Sequence, residues 1–482
     1  MAEQWATSPG ADGGDERGPG AARGASLGVD LHLEPSGPGG RRGLTDALRD
    51  AVRGGRLAPG TRLPSSRSLA ADLGIARNTV ADAYADLVAE GWLTARQGSG
   101  TRVAERTVPQ PAPEPSPAGR RQGRPAYDLV PGTPDLASFP RAEWLRAARR
   151  ALTAAPSGAL GYGDPRGRPE LRTALAGYLS RARGVRADPD RILICSGFLG
   201  GLTLLGAVLR QRGLRTLAVE SYGLDVHWNL LHRSGLRTVP LPFDGLGTRP
   251  DDLAGTRAVL MTPAHQFPMG VPLHPDRRAA VVDWARRTGG LILEDDYDGE
   301  FRYDRQPVGA LQGLGPDQVV YMGTASKSLA PGLRLGWLVL PPSLAAEVTA
   351  LTDGGGWSSG VLDQLTLAEF ITSGAYDRHV RAARLRYRRR RDALVAALAA
   401  RAPEARPTGI AAGLHAVVRL PPGTEQATVR AAAWHGLALH GLSRHRHPDA
   451  VTDPLDALVV GYGTPPDHAW AGALDALCRA LP

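Results

Sequence analysis

The chain has 482 residues, too long for one ordinary domain, and 42% are hydrophobic, enough for two or three folded units. It contains no uninterrupted apolar run of about 18 residues, so no membrane-spanning helix is expected, and its first residues lack the apolar segment of a secretory leader. Two cysteines, Cys195 and Cys478, support neither a disulfide framework nor a four-ligand metal centre, so no metal and a cytoplasmic location are the expectation.

The net charge of +9 permits a polyanionic partner but does not require one. Arginine supplies nearly all of that charge, and Ala, Gly, Pro and Arg are abundant throughout, as a general compositional bias would produce. One fact is sharper. Among 57 basic side chains a single one, Lys327, is lysine. A guanidinium stays protonated and cannot replace a primary amine where a Schiff base must form.

In chain order, residues 1–26 are rich in Gly, Ala, Asp and Arg without periodicity and read as a disordered tail. Residues 27–104 read as a small helical domain closed by two short strands. Residues 105–126 carry Pro109, Pro111, Pro113, Pro115 and Pro117 and read as an extended linker. From 127 to 482, helical patterns alternate with short β-rich runs at 192–195, 217–220, 258–262, 291–294 and 319–322. That alternation predicts crossover units and an α/β sheet.

In the small domain, Leu44, Ala47, Leu48, Ala51 and Val52 recur at helical spacing. Ser65 or Ser66 can cap a second helix, which Gly74 ends, and Ala76-Arg77-Asn78-Thr79-Val80 opens a third. Two helices joined by a tight glycine-containing turn define a helix-turn-helix, whose second helix presents its N-terminal residues to base edges in the major groove. Arg77 suits a guanine edge, Asn78 an adenine edge, and Thr79 a phosphate. Residues 91–94 and 98–103 make a hairpin wing. Over 43–104, the run GRLAPGTRLPSSRSLAADLGIARNTVADAYADLVAEGWLTARQGSGTRV resembles the GntR-family winged helix head. The resemblance implies that Arg67 and Arg77 contact double-stranded promoter DNA, with Gly98 of the wing near the backbone.

In the large domain, the strand Leu291-Ile292-Leu293-Glu294 ends in Asp295-Asp296-Tyr297. Functional groups of open α/β sheets gather at the carboxyl ends of strands. The next strand leads through Gly323-Thr324-Ala325-Ser326 to Lys327. A pyridoxal-phosphate site needs that pair: an amine for the imine, and a carboxylate that keeps the ring nitrogen protonated. Thr324 and Arg334 bracket the lysine and could hold a phosphate. The acidic run does not fit an EF-hand, and the spacing of a nucleotide phosphate loop is absent.

The stretches PGTPDLASFPRAEW, GYGDPRGRPELRTALAGYLSRARGV, MTPAHQFPMGVPL, LEDDYDGEFRY, GTASKSLAPGLRLGW and RLRYRRRRDAL make this region resemble the fold-type-I aminotransferases. Joined to the head, they resemble the MocR/GabR-type regulators. The fold class implied is a small α+β winged helix-turn-helix domain plus a large α/β aminotransferase-like domain with a smaller C-terminal lobe. The cofactor implied is pyridoxal 5'-phosphate. The resemblance makes Lys327 the imine lysine and Asp295 the partner of the ring nitrogen. Tyr297 would bond the ring phenolate oxygen and Tyr222, in a stretch shorter than the family's, would stack on the ring. Thr324, Arg334 and the Ser196-Gly197 turn would take the phosphate. Arg444 is the candidate for an effector carboxylate. One departure stands out: Phe198-Leu199 follow Ser196-Gly197 where the family places small and polar side chains. A helix start still offers backbone N–H groups there.

The expected function is a homodimeric regulator that senses pyridoxal phosphate, an amine or an amino acid. The alternatives are a working aminotransferase with an accessory head, and a regulator whose body has lost the cofactor. The arginine run 386–391 is read as the solvated face of a long helix rather than a second DNA-facing patch.

Overall fold

The computed structural model describes residues 40–96, 98–105, 125–253, 255–303, 308–352 and 359–482. The tail at 1–26, the start of the head at 27–39 and most of the linker at 105–126 lie outside the described residues. The chain forms two compact units that divide after Arg121.

In the first unit, helix Arg41–Arg53 presents Leu44, Leu48 and Ala51 to a core shared with Leu57, Leu63, Leu69, Val80, Ala83 and Leu87. The second helix, Ser66–Leu73, begins where the Ser65 hydroxyl accepts from the Ser68 N–H at 3.1 Å. Such a cap contributes about 1 kcal/mol. Gly74 ends the helix in the left-handed region at φ 65°, which a residue with a Cβ adopts only at a cost. The third helix, Arg77–Ala89, follows after three residues, Gly74, Ile75 and Ala76. Strands Leu93–Arg96 and Gly100–Val103 pair antiparallel from Leu93↔Val103 to Arg96↔Gly100 and form the wing. Leu93 and Val103 bury one end of it against the helices.

The second unit is built on a seven-stranded sheet. Its order is Ile192–Cys195, Gly336–Val339, Val319–Thr324, Leu291–Asp295, Ala258–Met261, Thr216–Glu220, Arg237–Leu241. Strands Ala258–Met261, Leu291–Asp295, Val319–Thr324 and Gly336–Val339 are buried along their whole length, as apolar runs without alternation require. Gly336–Val339 runs antiparallel to both neighbours, so the sheet is mixed rather than wholly parallel. The reversal follows from the connection. Only the loop carrying Lys327 and the short turn Pro331–Leu333 separate this strand from its predecessor, too little for a crossover helix.

The C-terminal lobe is a four-stranded antiparallel sheet in the order Arg406–Thr408, Ala416–Arg419, Ala457–Val460, His440–Gly441. Val418, Leu458 and Val460 pack against Leu394 and Leu398 of helix Ala375–Arg401 and Leu477 of helix Asp467–Ala480. The arginine run does not form a uniformly solvated face. Arg388 and Arg389 are exposed, but Arg390 is buried, with Nη2 3.0 Å from Asp135 and Nη1 donating to the Pro465 carbonyl at 2.7 Å. It ties the helix to both ends of the unit.

Candidate functional site

The sheet itself brings the central pair together. Strands Leu291–Asp295 and Val319–Thr324 are parallel, with Asp295 in register with Met322. Their carboxyl ends therefore open onto one cavity, lined by Asp295, Tyr297, Thr324, Ser326, Lys327 and, from the preceding elements, Tyr222. The Lys327 ammonium donates to the Gly132 carbonyl. Burial lowers the affinity of this amine for its proton, while the nearby Asp295 and Asp298 oppose that effect. The balance matters because only a neutral amine attacks a carbonyl.

Asp295 lies in the same dry setting. Burial holds its carboxyl well above the usual range, partly offset by Lys327. Among the described residues its Oδ1 is buried without a hydrogen-bond partner. A buried carboxylate oxygen left unsatisfied is costly unless a ligand satisfies it. A protonated ring nitrogen is such a ligand, so the donor set fits pyridoxal phosphate.

Groups that could hold a phosphate lie beside this pair. The Thr324 and Ser326 hydroxyls are 2.8 Å apart, and Thr324 Oγ1 donates to the Leu335 carbonyl at 3.1 Å. Arg334 is the one described non-glycine residue with positive φ, at 53°. Backbone held in that region by a non-glycine residue marks a functional constraint. Its guanidinium approaches Gly197: a Cβ added there would sit 3.7 Å from Arg334 Nη1. Ser196 precedes helix Gly197–Gln211 without capping it by a side-chain hydrogen bond. The helix start thus keeps backbone N–H groups for an anion. Phe198 does not join these groups as a donor. Its ring lies 4.6 Å from that of His227, and both line the cavity. Burial, helped by the Lys327 charge, pushes the His227 imidazole down to about 3 and keeps it neutral.

The other expected residues divide. Tyr222 is buried and lines the cavity, but it also packs with Met269 and with Val417, Leu442 and Val459 of the small lobe. Arg444 is exposed and is not among the residues that line the cavity. The sequence reading passed over Phe198's partner His227, and also His265 and Asp298. The last two stand in the stretches MTPAHQFPMGVPL and LEDDYDGEFRY, which could have drawn attention to them.

In the head, Arg67, Arg77 and Asn78 are exposed and Thr79 is half-buried at the start of the third helix. Among the described residues, no ion pair engages Arg67 or Arg77, unlike Arg41 and Arg49, which bind Asp86 and Glu90. Gly98 turns the tip of the wing at φ 86°.

A winged helix-turn-helix followed by an aminotransferase fold with a lysine and an aspartate at adjoining strand ends defines a DNA-binding regulator built on a cofactor-binding body. The comparisons agree. Residues 41–103 match the family of bacterial regulatory proteins, gntR family, and residues 130–440 match aminotransferase class I and II. The chain is 34% identical to the pyridoxine biosynthesis transcriptional regulator PdxR of Corynebacterium glutamicum, over 87% of this chain and 91% of that protein. It is 34% identical to the probable rhizopine catabolism regulatory protein MocR of Rhizobium meliloti, over 74% of this chain and 76% of that protein. The kynurenine aminotransferase of Pyrococcus horikoshii superposes with a TM-score of 0.65 at 24% identity, covering 73% of this chain and 89% of that one, which shows the fold. The chain belongs to the MocR-type transcription regulators, in which a GntR head and an aminotransferase-like body share one polypeptide. No helix among the described residues is long and apolar enough to cross a membrane.

Proposed function

We propose that this cytoplasmic regulator binds promoter DNA as a homodimer and carries pyridoxal 5'-phosphate on Lys327 as the sensing group of its body. The observation that carries the reading is the orphaned Oδ1 of Asp295 in the cavity that Lys327 enters. Bound there, the cofactor would supply an aldehyde that condenses with primary amines and a ring that accepts electrons while its nitrogen is protonated. The chain's own groups do the rest. Lys327 offers a desolvated amine, Asp295 holds a proton on the ring nitrogen, and Tyr297 offers its hydroxyl to the phenolate oxygen. Thr324, Ser326, Arg334 and the helix start after Ser196 hold the phosphate. Arg67, Arg77, Asn78, Thr79 and the wing at Gly98 read one half-site per head, in keeping with dimeric recognition.

Lys327 would be the group that an effector amine displaces. The amine shifts DNA affinity only by as much as it prefers one arrangement of the body over another. The relative that regulates pyridoxine biosynthesis supports pyridoxal phosphate itself as one effector. The test is a titration of the full chain with pyridoxal phosphate and with candidate amines and amino acids. Visible absorbance and affinity for promoter fragments are followed at fixed salt. Affinity that changes in step with absorbance supports the reading. Rapid conversion of an amino acid plus a keto acid would favour a working aminotransferase instead.

A further inference from the structure

The cavity's tyrosine is held by a buried pair that the proposed function leaves unused. His265 Nδ1 lies 2.9 Å from Asp298 Oδ2 and 3.1 Å from the Tyr297 hydroxyl. His265 and Asp298 side chains are 3% and 2% exposed. One ring nitrogen thus meets two oxygens. A carboxylate can only accept, so the Asp298 contact places the proton on Nδ1. A protonated Nδ1 cannot accept from Tyr297; it can only offer part of its hydrogen to the tyrosine oxygen. Burial, with Asp298 and Asp295 adding to it, keeps the Tyr297 hydroxyl protonated far above the usual range. Asp298 is itself one acceptor within reach of that proton; with His265 holding the carboxylate by its own N–H, the other direction open to the proton is the cavity that Tyr297 lines.

The surroundings are built for this pair. The His415 ring lies 5.2 Å from His265, and burial pushes it down to about 3, so it brings no charge. Gly413 closes the site from the small lobe. A Cβ there would fall 2.4 Å from both Asp298 Oδ2 and His265 Cε1. The Tyr462 hydroxyl donates to the Gly413 carbonyl at 2.8 Å, and Tyr303 donates to the same oxygen.

We propose that Asp298 and His265 are a positioning pair that turns the Tyr297 hydroxyl into a fixed donor aimed at the phenolate oxygen of the cofactor. The inference rests on the cofactor reading above. It has a signed consequence. A donor at the phenolate oxygen competes for the lone pair that also holds the imine proton. Loss of that donor strengthens the hold, so the pH midpoint of the visible absorbance rises. In Asp298→Ala, Nδ1 is free to accept and captures the hydroxyl. In His265→Phe, which keeps the ring volume, Asp298 captures it directly.

The experiment is a pH titration of visible absorbance on full-length chain loaded with pyridoxal phosphate. Wild type is compared with Y297F, D298A, H265F and Y297F/D298A. Y297F raises the midpoint; D298A and H265F raise it by at least half as much; the double variant matches Y297F, because the pair acts only through the hydroxyl. If D298A does not fold, H265F carries the same expectation. Unchanged midpoints in H265F and D298A overturn the proposal, as does a D298A effect that persists in the Y297F background, the mark of a merely structural role. Wild type without any absorbance would sink the cofactor reading and this inference with it. Wild type that titrates normally beside silent pair variants would sink this inference alone.

Discussion

Asp295 and Lys327 reach one buried cavity from adjoining parallel strands, and the carboxylate arrives with an oxygen that no group among the described residues satisfies. Asp295→Asn is expected to keep the fold while losing the charge that holds a proton on the ring nitrogen. A charge-assisted hydrogen bond of this kind contributes about 2 kcal/mol, so cofactor affinity falls roughly 30-fold. Equilibrium dialysis of the cofactor against both chains measures it. Equal affinities would mean the oxygen is satisfied in another way.

In the proposed reading, the head separates base reading from phosphate contact. Arg77→Ala is expected to cost about 1–3 kcal/mol at the promoter and to relax preference at one base position. A phosphate contact at Arg67 would instead weaken all sequences alike and reduce the salt slope by about one. Anisotropy titrations at several salt concentrations, on promoter and scrambled fragments, distinguish the two. Neither change affects the body's visible absorbance, since the substitutions lie in a separate compact unit.

A buried ion pair sits under the Asp295 strand. Arg183 Nε and Nη2 donate to Asp296 at 2.7 and 3.0 Å, and the Tyr321 hydroxyl donates to the same carboxylate at 2.9 Å. Arg183→Met leaves a fully buried carboxylate without its cation and is expected to destabilise the body by about 3–5 kcal/mol. Replacing both partners by apolar residues costs less than removing Arg183 alone. Denaturant unfolding of the cofactor-free chain reads both; equal costs would show that the pairing is not the cause.

Glu220 gives a signed pH dependence. Burial raises its carboxyl to about 7, although Thr248 donates to it at 2.8 Å and Thr262 Oγ1 at 2.6 Å. An acid raised in the folded state binds more protons folded than unfolded. Its charging therefore erodes stability as pH rises from about 4.5 to about 7 and adds nothing further above. Glu220→Gln removes that dependence. The variant's stability relative to wild type should improve across that window by up to about 1.4 kcal/mol per pH unit, then level off. A difference that stays flat with pH would contradict the raised value.

The parts legible in the sequence are those whose signal is local. The head shows in helical spacing, in Ser65 and in Gly74. The cavity shows in two strands that end in Asp295 and, one loop on, Lys327. What escaped depends on partners distant in the chain. His265 and Asp298 are 33 residues apart, and each alone reads as an ordinary polar residue. His227 meets Phe198 only because the first turns of helices Gly197–Gln211 and Asp225–Arg233 converge. The reversed strand Gly336–Val339 is as apolar as the parallel strands of the sheet, so no pattern announces its direction. Arg390 carries the same charge as Arg388 but faces inward, and a run of arginines hides that difference.

The most direct measurement uses the chain's single lysine. Borohydride reduction of full-length protein incubated with pyridoxal phosphate, followed by peptide mass spectrometry, should place one pyridoxyl group on Lys327 and none on a Lys327→Ala chain. A wild-type chain that emerges unlabelled at Lys327, or a Lys327→Ala chain labelled to the same extent elsewhere, would contradict the account.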